Sequence, residues 1–331
     1  MRERRGPPGP PITVAVVSWN TRDLLASCLD ALRLDVDVGR AQVWVVDNGS
    51  TDGSRELVRE RYPHVKLLTP DANLGFGPAV NLVAARSSSS WLAAANADVQ
   101  LAPGALERMQ AALERAPRIG MVGPRLTLLD GSTQISVRPF PGISSALLLA
   151  SHAARFSERA RRALRVEGHW EAEVDESIPW LTGAFVLMSR AAFDDAGGFD
   201  PSQWLYSEDM DLCWRMRQHG WEIRWVPTAG ALHAHSAATG QRFTNHQLTT
   251  HILVMTYLWL LRRRGAVAAR SSAAIGVVDA TTRMLLAAIG SSRDRAATRR
   301  AIRAELVGHL YGLAPRATLE RRARARQHTT T

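Results

Sequence analysis

Three acidic residues stand together where a helix is predicted to begin. Glu208, Asp209 and Asp211 open a helical pattern that runs to about His219 and ends at Gly220, a common C-terminal cap. Acidic side chains favour the positive end of the helix dipole, which explains one or two of them better than three. Because helical geometry turns Asp209 inward while Glu208 and Asp211 diverge from it, Asp209 is a candidate general base.

Polar residues also follow three predicted strands, at the point where each strand ends. The segments are residues 18–21 after the first strand, 47–54 after the second and 96–98 after the fourth. Turn formation and helix capping account for Ser50, Thr51 and Asp52, since a helix is predicted to start there. Asp47 and Asp98 instead follow apolar strands directly, and we expect both carboxylates to point into one crevice.

A short strand is predicted over residues 222–226, and a pair of histidines, His233 and His235, follows it in the segment 230–240. Alternate residues of an extended segment face the same way, so both imidazoles can face one site. An imidazole that joins Asp98 at a divalent ion is ordinary coordination chemistry. Histidines are more often structural than metal-binding, but the position of this pair downstream of two acidic strand ends favours metal binding.

These residues need a sheet to position them, and the first hundred residues predict one. The predicted strands are 13–17, 43–46, 65–68 and 91–95, and the predicted helices between them are 24–32, 54–61 and 78–85. This alternation is typical of an α/β fold with a mostly parallel sheet that is covered by helices on both faces. Ligands of such sheets bind beyond the carboxyl ends of the strands, where the polar residues lie.

The rest of the chain suggests its division into domains. The regular alternation is lost between residues 131 and 179. The predicted parts are a disordered arm at 1–11, one catalytic domain at 12–240, a helical and basic extension at 241–315 and a flexible tail at 316–331.

The net charge of +10 belongs to the C-terminal extension. Residues 262–331 hold 15 of the 41 basic residues and 4 of the 31 acidic ones, so the remainder of the chain is close to neutral. Predicted helices at 246–264 and 273–290 place apolar residues beside the arginines 262–264. These helices either pack on the catalytic domain or lie on anionic lipid with the arginines at the headgroups. Nucleic-acid binding by the basic extension would not explain the acidic residues at the ends of the predicted strands.

The composition excludes several classes of protein. Hydrophobic residues make up 46% of the chain and charged residues 22%, which rules out a disordered or collagen-like chain. Two cysteines, Cys28 and Cys213, cannot form a disulfide framework and favour a reducing compartment. No secretory signal is recognisable, and the longest apolar run, 252–261, is half of the about 20 residues that span a bilayer. We therefore expect a cytoplasmic protein.

Seven motifs occur in order between about residues 12 and 240. They are TVAVVSWNTRDLLASCLDAL, VVDNGSTDGS, NLGFGPAVN, ANADVQL, LTGAFVLMSR, GGFDPSQWLYSEDMDLCWRMRQHGW and the run 233–240. Together they resemble the inverting, nucleotide-sugar-dependent glycosyltransferases of family 2, which implies a Rossmann-like GT-A fold. The stretch from LLDGSTQISVRPFP through WLTGAFVLMSR most resembles the bacterial rhamnosyltransferase branch of that family.

The resemblance implies a role for the residues of each motif. The nucleotide-sugar-binding residues are Ser18, Asn20, Asp47, Asn73, Gly75, Asn96, Ala97 and Asp98, and the sugar and acceptor pocket is formed by Trp180, Gly183 and Ala184. Asp209 matches the catalytic base, and Glu208 supports it. Asp98 matches the second carboxylate of the DxD motif and would hold a divalent cation with His233, or with His235 as the alternate. Asn96 stands where the motif has its first aspartate, which removes one negative charge.

The resemblance also implies a reaction and its partners. We expect transfer of L-rhamnose from dTDP-rhamnose to a hydroxyl of a cell-envelope glycan or polyprenyl-linked acceptor, with Mg²⁺ or Mn²⁺ on the diphosphate and the protein at the inner face of the cell membrane. One alternative is a UDP-hexose donor. Another is a sugar nucleotidyltransferase, which would need a glycine-rich phosphate loop after the first strand, where residues 18–23 contain no glycine. No nucleic-acid partner is expected.

Overall fold

The computed structural model describes residues 11–164, 176–234, 244–289 and 295–325, and these form two compact units. The first unit contains the described residues up to 138 together with 176–234. The second contains 139–164 and the described residues from 244 onward. The segment after residue 138, where the predicted alternation is lost, thus belongs with the C-terminal helices.

The first unit is an α/β structure, as predicted. Its strands are β1 (Ile12–Ser18), β2 (Ala41–Asp47), β3 (Lys66–Leu68), β4 (Trp91–Asn96), β5 (Val99–Leu101), β6 (Ile119–Thr127), β7 (Val137–Arg138), β8 (Glu176–Ser177), β9 (Trp180–Leu181), β10 (Phe185–Ser189) and β11 (Glu222–His233). Its helices are α1 (Arg22–Asp37), α2 (Ser54–Arg61), α3 (Phe76–Ala84), α4 (Ala105–Glu114), α7 (Arg190–Asp195) and α8 (Glu208–Gln218).

One mostly parallel sheet of nine strands forms the centre of the first unit, within the described residues. Its order is β3-β2-β1-β4-β10-β6-β11-β5, and β8 pairs with β11. Strands β5, β8 and β10 run antiparallel to their neighbours, and β7 and β9 form a separate two-stranded ribbon. Side chains of β1, β2 and β4 are buried, as expected for parallel strands covered on both faces.

Strand β11 is longer than the sequence pattern indicates. A strand was expected only over residues 222–226, but the register shifts between Val226 and Gly230 and pairing then resumes. The continued segment pairs antiparallel with β5, so that His233 lies opposite Val99. A bulge of this kind bends a strand without ending it, and here it carries His233 to the strand that follows Asp98.

The second unit is helical within the described residues. It contains α5 (Ile143–Ala150), a 3-10 turn (Ala153–Arg155), α6 (Glu158–Leu164), α9 (Asn245–Arg263), α10 (Gly265–Ile289), α11 (Arg295–Leu313) and α12 (Arg316–Ala325). A capping box of Thr244 and Gln247 begins α9. Glycines bring helices close together, since a Cβ at Gly308 or Gly312 would overlap side chains of α9.

Residues 316–325, the first part of the predicted flexible tail, form helix α12. Leu319 and Ala323, one helical turn apart, are buried and give this arginine-rich helix one apolar face that packs. No helix in the described parts of the chain is long and apolar enough to cross a membrane.

Candidate active site

The ends of β1, β2 and β4 meet at one edge of the sheet, as the strand pattern predicts. Ser18 pairs with Asp47, and Val17 pairs with Asn96. The backbone amide of Asn48 donates a hydrogen bond of 2.9 Å to the carbonyl of Ser18. The three polar strand ends therefore border one region, as the carboxyl ends of adjacent parallel strands must.

Asn20 ties the first two of these loops together. Its left-handed backbone (φ 50°) turns the chain after β1. The side-chain oxygen of Asn20 accepts a hydrogen bond of 2.8 Å from the backbone amide of Thr51. The backbone amide of Asn20 donates one of 2.9 Å to the Ser50 hydroxyl. Ser50 and Thr51 thus have the turn role that the sequence indicates, and Asn20 fixes the shape of the loop.

Asp47 is buried, and one of its two carboxylate oxygens accepts hydrogen bonds. Its Oδ2 accepts hydrogen bonds from the amide of Ser50 at 3.1 Å and from Nε of Arg55 at 2.5 Å, while Oδ1 is buried without a hydrogen-bond partner among the described residues. The Asp47 carboxylate raises the pKa of Arg55. The sequence analysis did not predict Arg55 as a site residue, although its position on the first turn of α2, shortly after Asp47, could have indicated it. Oδ1 is left to accept a hydrogen bond from a ligand.

The loop before α3 is shaped by two asparagines. Asn73 accepts a hydrogen bond of 2.9 Å from the amide of Gly75. Asn48, which is buried and was not predicted as a site residue, donates to the Gly75 carbonyl at 3.1 Å and accepts from the amide of Leu74 at 3.3 Å. Trp204 closes the loop from outside, because its indole donates to the Asn73 carbonyl at 3.3 Å.

Replacing Gly75 with alanine is expected to lower kcat/KM by about 10²-fold, since misplacing a binding loop by about 1 Å has that effect. Gly75 has a φ of 82°, and a Cβ there would overlap the carbonyl oxygen of Trp204 and lie 2.7 Å from its Cδ1. Gly39→Ala is the matched control, because Gly39 has a φ of 71° with nothing within 4 Å of a Cβ. Equal kinetics in the two variants would show that only backbone strain matters.

Asp98 and His233 form a buried pair. Nε2 of His233 lies 3.3 Å from Oδ1 of Asp98, and its Nδ1 lies 2.6 Å from Oε1 of Gln134. The contact with Gln134 orients the imidazole, so that Nε2 faces the Asp98 carboxylate. The carboxylate oxygen and the imidazole nitrogen are both atoms that coordinate divalent cations.

The pair alone does not make a full coordination shell. Among the described residues, no group of three histidine, cysteine, aspartate or glutamate side chains is placed to hold a metal ion. Asn96 bonds the Ala184 carbonyl through its backbone amide at 2.9 Å. His235, the alternate ligand, lies outside the described residues. Gln134, the partner that orients His233, was not predicted, and its separation of 99 residues from His233 offered no local signal.

Asp209 is held at the first turn of α8 by two backbone amides. Gly183 donates to its Oδ2 at 2.9 Å, and Met210 donates to its Oδ1 at 2.7 Å. Burial raises the pKa of Asp209, while these hydrogen bonds and the positive charge of Arg138 act in the opposite direction. Asp209 is half-buried as a residue, and each carboxylate oxygen, which accepts one of these hydrogen bonds, can accept another.

The two neighbouring acids have different surroundings. Glu208 is buried, its Oε2 has no hydrogen-bond partner in the described part of the chain, and burial together with the charge of Asp209 raises its pKa well above the ordinary value. Asp211 is fully buried and accepts a hydrogen bond of 2.7 Å from Nε of Arg215, which is a structural ion pair. Of the three acids, Asp209 therefore has the position that suits proton transfer.

Gly183 and Ala184, which are adjacent in the chain, connect the Asp98–His233 pair to Asp209. The Ala184 carbonyl accepts from Asn96, two residues before Asp98, and the Gly183 amide donates to Asp209. The β4 turn and the start of α8 therefore meet across the segment 183–184. Nearby, Trp180 pairs with Arg138 in the two-stranded ribbon, and Arg138 is exposed.

The comparison with known families agrees with this geometry. Residues 8–248 match the sequence profile described as "Glycosyltransferase like family 2". The chain belongs to this glycosyltransferase family. It is therefore a glycosyltransferase, and the alternatives of a sugar nucleotidyltransferase and a nucleic-acid-binding protein are set aside.

Individual relatives of this family 2 enzyme are rhamnosyltransferases. The chain is 34% identical over 267 residues to an N-acetylglucosaminyl-diphospho-decaprenol L-rhamnosyltransferase of Mycobacterium tuberculosis, a match that covers 76% of this chain and 84% of the relative. It is 31% identical over 90 residues to the rhamnosyltransferase WbbL of Escherichia coli, covering 27% and 33% of the two chains. The sequence prediction of a rhamnosyltransferase-like member of family 2 is confirmed.

Solved structures show the same fold. The mannosyltransferase PcManGT from Pyrobaculum calidifontis, in complex with GDP-Man and Mn²⁺, matches with a TM-score of 0.57 at 17% identity and covers 92% of this chain and 87% of its own. GalNAc-T7 with UDP, GalNAc and Mn²⁺ matches with a TM-score of 0.51 at 15% identity, over 67% of this chain and 42% of its own. The expected GT-A fold is confirmed.

Proposed function

We propose that this enzyme transfers L-rhamnose from dTDP-rhamnose to a hydroxyl of a sugar carried on a polyprenyl diphosphate, with inversion at the sugar carbon. The observation that carries the proposal is the link through Gly183 and Ala184, which joins the Asp98 turn to the candidate base Asp209. The name of the mycobacterial relative supports the donor sugar and the acceptor class. The second candidate function is transfer from a UDP-hexose by the same residues.

The donor is held at the ends of β1, β2 and β4. Asp47 offers its buried Oδ1 to the nucleotide base, and the loop of Asn73 and Gly75 lies along the nucleoside and diphosphate. Asp98 and His233 are the residues that would hold a divalent cation, and such a cation would supply positive charge to stabilise the negative charge on the leaving diphosphate. Two protein ligands are enough where phosphate oxygens and water complete the coordination.

The acceptor hydroxyl loses its proton to Asp209. The backbone amides of Gly183 and Met210 fix the carboxylate in place, so that an oxygen lone pair faces the incoming hydroxyl. The raised pKa of Asp209 makes it a stronger base than a solvated aspartate. Glu208 is buried, burial and the charge of Asp209 raise its pKa, and it acts as a positioning residue beside the base.

Arg138 supplies positive charge on the acceptor side of Asp209. Arg138 is exposed as a residue, although packing around its guanidinium lowers the pKa of that group, and its charge lowers the pKa of the Asp209 carboxyl group. In a sugar linked directly to a diphosphate, the reacting hydroxyl and the phosphates lie one sugar ring apart. A cation near the base is therefore placed to pair with the acceptor diphosphate.

Arg138→Gln is expected to raise the acceptor KM by about tenfold to hundredfold, since a hydrogen bond to a charged group contributes about 1.5–3 kcal/mol. Loss of its charge also raises the pKa of Asp209, so the acid limb of the pH–rate profile moves to higher pH. Arg33→Gln, at an exposed arginine on α1, is the matched control and leaves both values unchanged. An unshifted acid limb in Arg138→Gln contradicts the pairing of Arg138 with Asp209.

A thermal-shift panel of dTDP- and UDP-sugars, with and without Mn²⁺, tests the donor. A ligand at 100 times its Kd stabilises the folded state by about 2.7 kcal/mol, so the true donor is expected to raise Tm most and only in the presence of Mn²⁺. The variant Asp47→Ala is expected to lose this response. A larger shift with a UDP-hexose than with dTDP-rhamnose favours the second candidate function.

We also propose that the enzyme works at the inner face of the cell membrane. A polyprenyl-linked acceptor is confined to a bilayer, and the excess positive charge of residues 262–331 is the charge that anionic lipids attract. The helical unit that carries these arginines exposes apolar side chains of α10, including Val267, Leu285 and Leu286. Both features suit a surface that lies on lipid.

A further inference from the structure

The segment that leads into β7 connects the two halves of the candidate active site. At its start, Oε1 of Gln134 lies 2.6 Å from Nδ1 of His233, the histidine that faces Asp98. At its end, Arg138 supplies the positive charge that lowers the pKa of the base. Ser136 stands midway between Gln134 and Arg138 in the chain. A group on this segment that faces the site is therefore placed between the proposed cation and the proposed base.

Ser136 has a buried hydroxyl group that lacks a hydrogen-bond partner. The residue is 2% exposed, and its Oγ makes no hydrogen bond within the described residues. Its backbone is satisfied, since its carbonyl oxygen accepts a hydrogen bond of 2.8 Å from the amide of Thr182. A hydroxyl group that leaves water on folding without gaining a partner is uncommon in native proteins, and it calls for a functional explanation.

The pairing of β7 with β9 fixes the side of the ribbon on which Ser136 lies. Val137 is paired with Leu181, and the hydrogen bond between Thr182 and Ser136 continues this register by one residue pair. Paired residues of an antiparallel ribbon point to the same face, whereas neighbours along a strand point to opposite faces. Ser136 and Thr182 therefore share one face, and Val137 and Leu181 share the other.

The two faces of the ribbon have different surroundings. Val137 and Leu181 are each 1% exposed, and Leu181 packs so closely on β6 that a Cβ at Gly123 would lie 2.7 Å from its Cδ1. The opposite face, which we call the open face, carries Ser136, Arg138, Trp180 and Thr182. Arg138 is exposed, and Trp180 and Thr182 are half-buried. Ser136 thus lies on the side of the ribbon that a ligand can approach.

The chemistry of the open face suits a sugar that carries a diphosphate. It combines an indole ring, two hydroxyl groups from paired residues and one guanidinium group, and Gly183, which follows Thr182, holds Asp209 through its amide. Side chains two positions apart on a strand lie about 7 Å from each other, which is comparable to the width of a sugar ring with its substituents. An acceptor whose diphosphate pairs with Arg138 therefore brings a ring substituent to Ser136.

We propose that the Ser136 hydroxyl group forms a hydrogen bond with a non-reacting hydroxyl group of the acceptor sugar and thereby selects acceptors that carry it. The proposal rests on the proposed function, which supplies the acceptor, and adds to it a residue that determines acceptor specificity. A buried group that only the substrate satisfies discriminates strongly against an analogue without the matching group, because that analogue leaves it unpaired.

Ser136→Ala is expected to raise the acceptor KM about tenfold, while the donor KM and the donor-induced thermal shift stay unchanged. The substitution removes a buried hydroxyl group that has no partner in the free protein, so Tm is not expected to fall. The matched control is Ser87→Ala, because Oγ of Ser87 is also buried without a partner among the described residues, but Ser87 lies between α3 and the amino end of β4. Both KM values are expected to stay unchanged in this control.

Acceptors that each lack one hydroxyl group test the contact itself. The full-length enzyme is assayed with short-chain acceptor diphosphates in which one non-reacting sugar hydroxyl is replaced by hydrogen. With the unchanged enzyme, one analogue is expected to lose at least about tenfold in kcat/KM relative to the complete acceptor. With Ser136→Ala, the same analogue is expected to lose less than about twofold, because the partner of the missing hydroxyl is already absent.

The possible outcomes separate this subsite from the proposed function. An unchanged acceptor KM in Ser136→Ala, or the same loss for every analogue in both enzymes, overturns the subsite while the proposed function stands. A lower Tm with equal increases in both KM values shows a structural role for the hydroxyl group and also overturns the subsite. If the unchanged enzyme transfers no sugar to the complete acceptor, the proposed function is wrong, and the subsite for that acceptor is wrong with it.

Discussion

Asp209→Asn is expected to lower kcat by about 10²–10⁴-fold, which is the usual contribution of a general base. Asparagine keeps the size of the side chain and an oxygen that can accept the hydrogen bond from Gly183, but it cannot take a proton from the acceptor hydroxyl. The donor site is separate from this carboxyl group, so donor-induced thermal stabilisation is expected to persist. Steady-state and single-turnover rates at saturating donor and acceptor measure the effect.

Glu208→Gln is the matched comparison for this variant. Burial and the charge of Asp209 raise the pKa of Glu208 well above its ordinary value, which favours the protonated carboxyl group, and an amide resembles that form in shape and charge. We expect Glu208→Gln to keep kcat within about tenfold of the original, because only positioning is disturbed. Near-normal turnover in Asp209→Asn, or a larger loss in Glu208→Gln, would reverse the roles given to these two acids.

Asp98→Asn is expected to reduce kcat/KM by about 10²-fold or more, since charge stabilisation by a divalent cation is worth several kcal/mol. The substitution removes the negative charge that His233 faces at 3.3 Å and with it half of the proposed ligand pair. The Mn²⁺-dependent part of the donor thermal shift is expected to disappear with the activity. Chelation of divalent cations with EDTA is expected to have the same effect on the unchanged enzyme.

Asp35→Asn controls for the loss of a buried carboxylate. Asp35 is buried in the first unit and pairs with Arg40 at 2.6 Å. Its replacement is expected to lower Tm, because Arg40 loses its partner, while the Mn²⁺ response of the donor complex stays intact. If Asp98→Asn retains the Mn²⁺ response, or if EDTA leaves the rate unchanged, the cation is not held by Asp98.

The local sequence pattern predicted the strands and turns correctly where neighbouring residues determine the structure. The four predicted strands correspond to β1–β4, because apolar runs between helical segments have few alternatives in an α/β chain. The turn after β2 was also recognisable, because glycine, serine and aspartate have specific turn and cap conformations. From these two features the carboxyl edge of the sheet could be predicted, and with it the meeting of Ser18, Asp47 and Asn96.

The sequence pattern did not predict contacts between side chains that are far apart along the chain. Gln134 orients His233, and Asn48 holds the loop at Gly75, yet neither pairing follows from spacing. The extent of β11 was underestimated because a bulge interrupts its alternation. Residues 316–325 were expected to be mobile because their charge conceals the two buried apolar positions, Leu319 and Ala323, on which α12 packs.

The amino-acid sequence by itself determined the family, the α/β class and the residue types available for chemistry, since periodicity and turn chemistry are local properties of the chain. Only the tertiary structure decided which of three adjacent acids is half-buried and held by backbone amides, and which are buried with a raised pKa or in an ion pair. The physical reason is that burial, proton affinity and hydrogen-bond partners depend on residues distant in sequence. Asp209 differs from Glu208 and Asp211 because of Gly183 and Arg138, which the fold brings beside it.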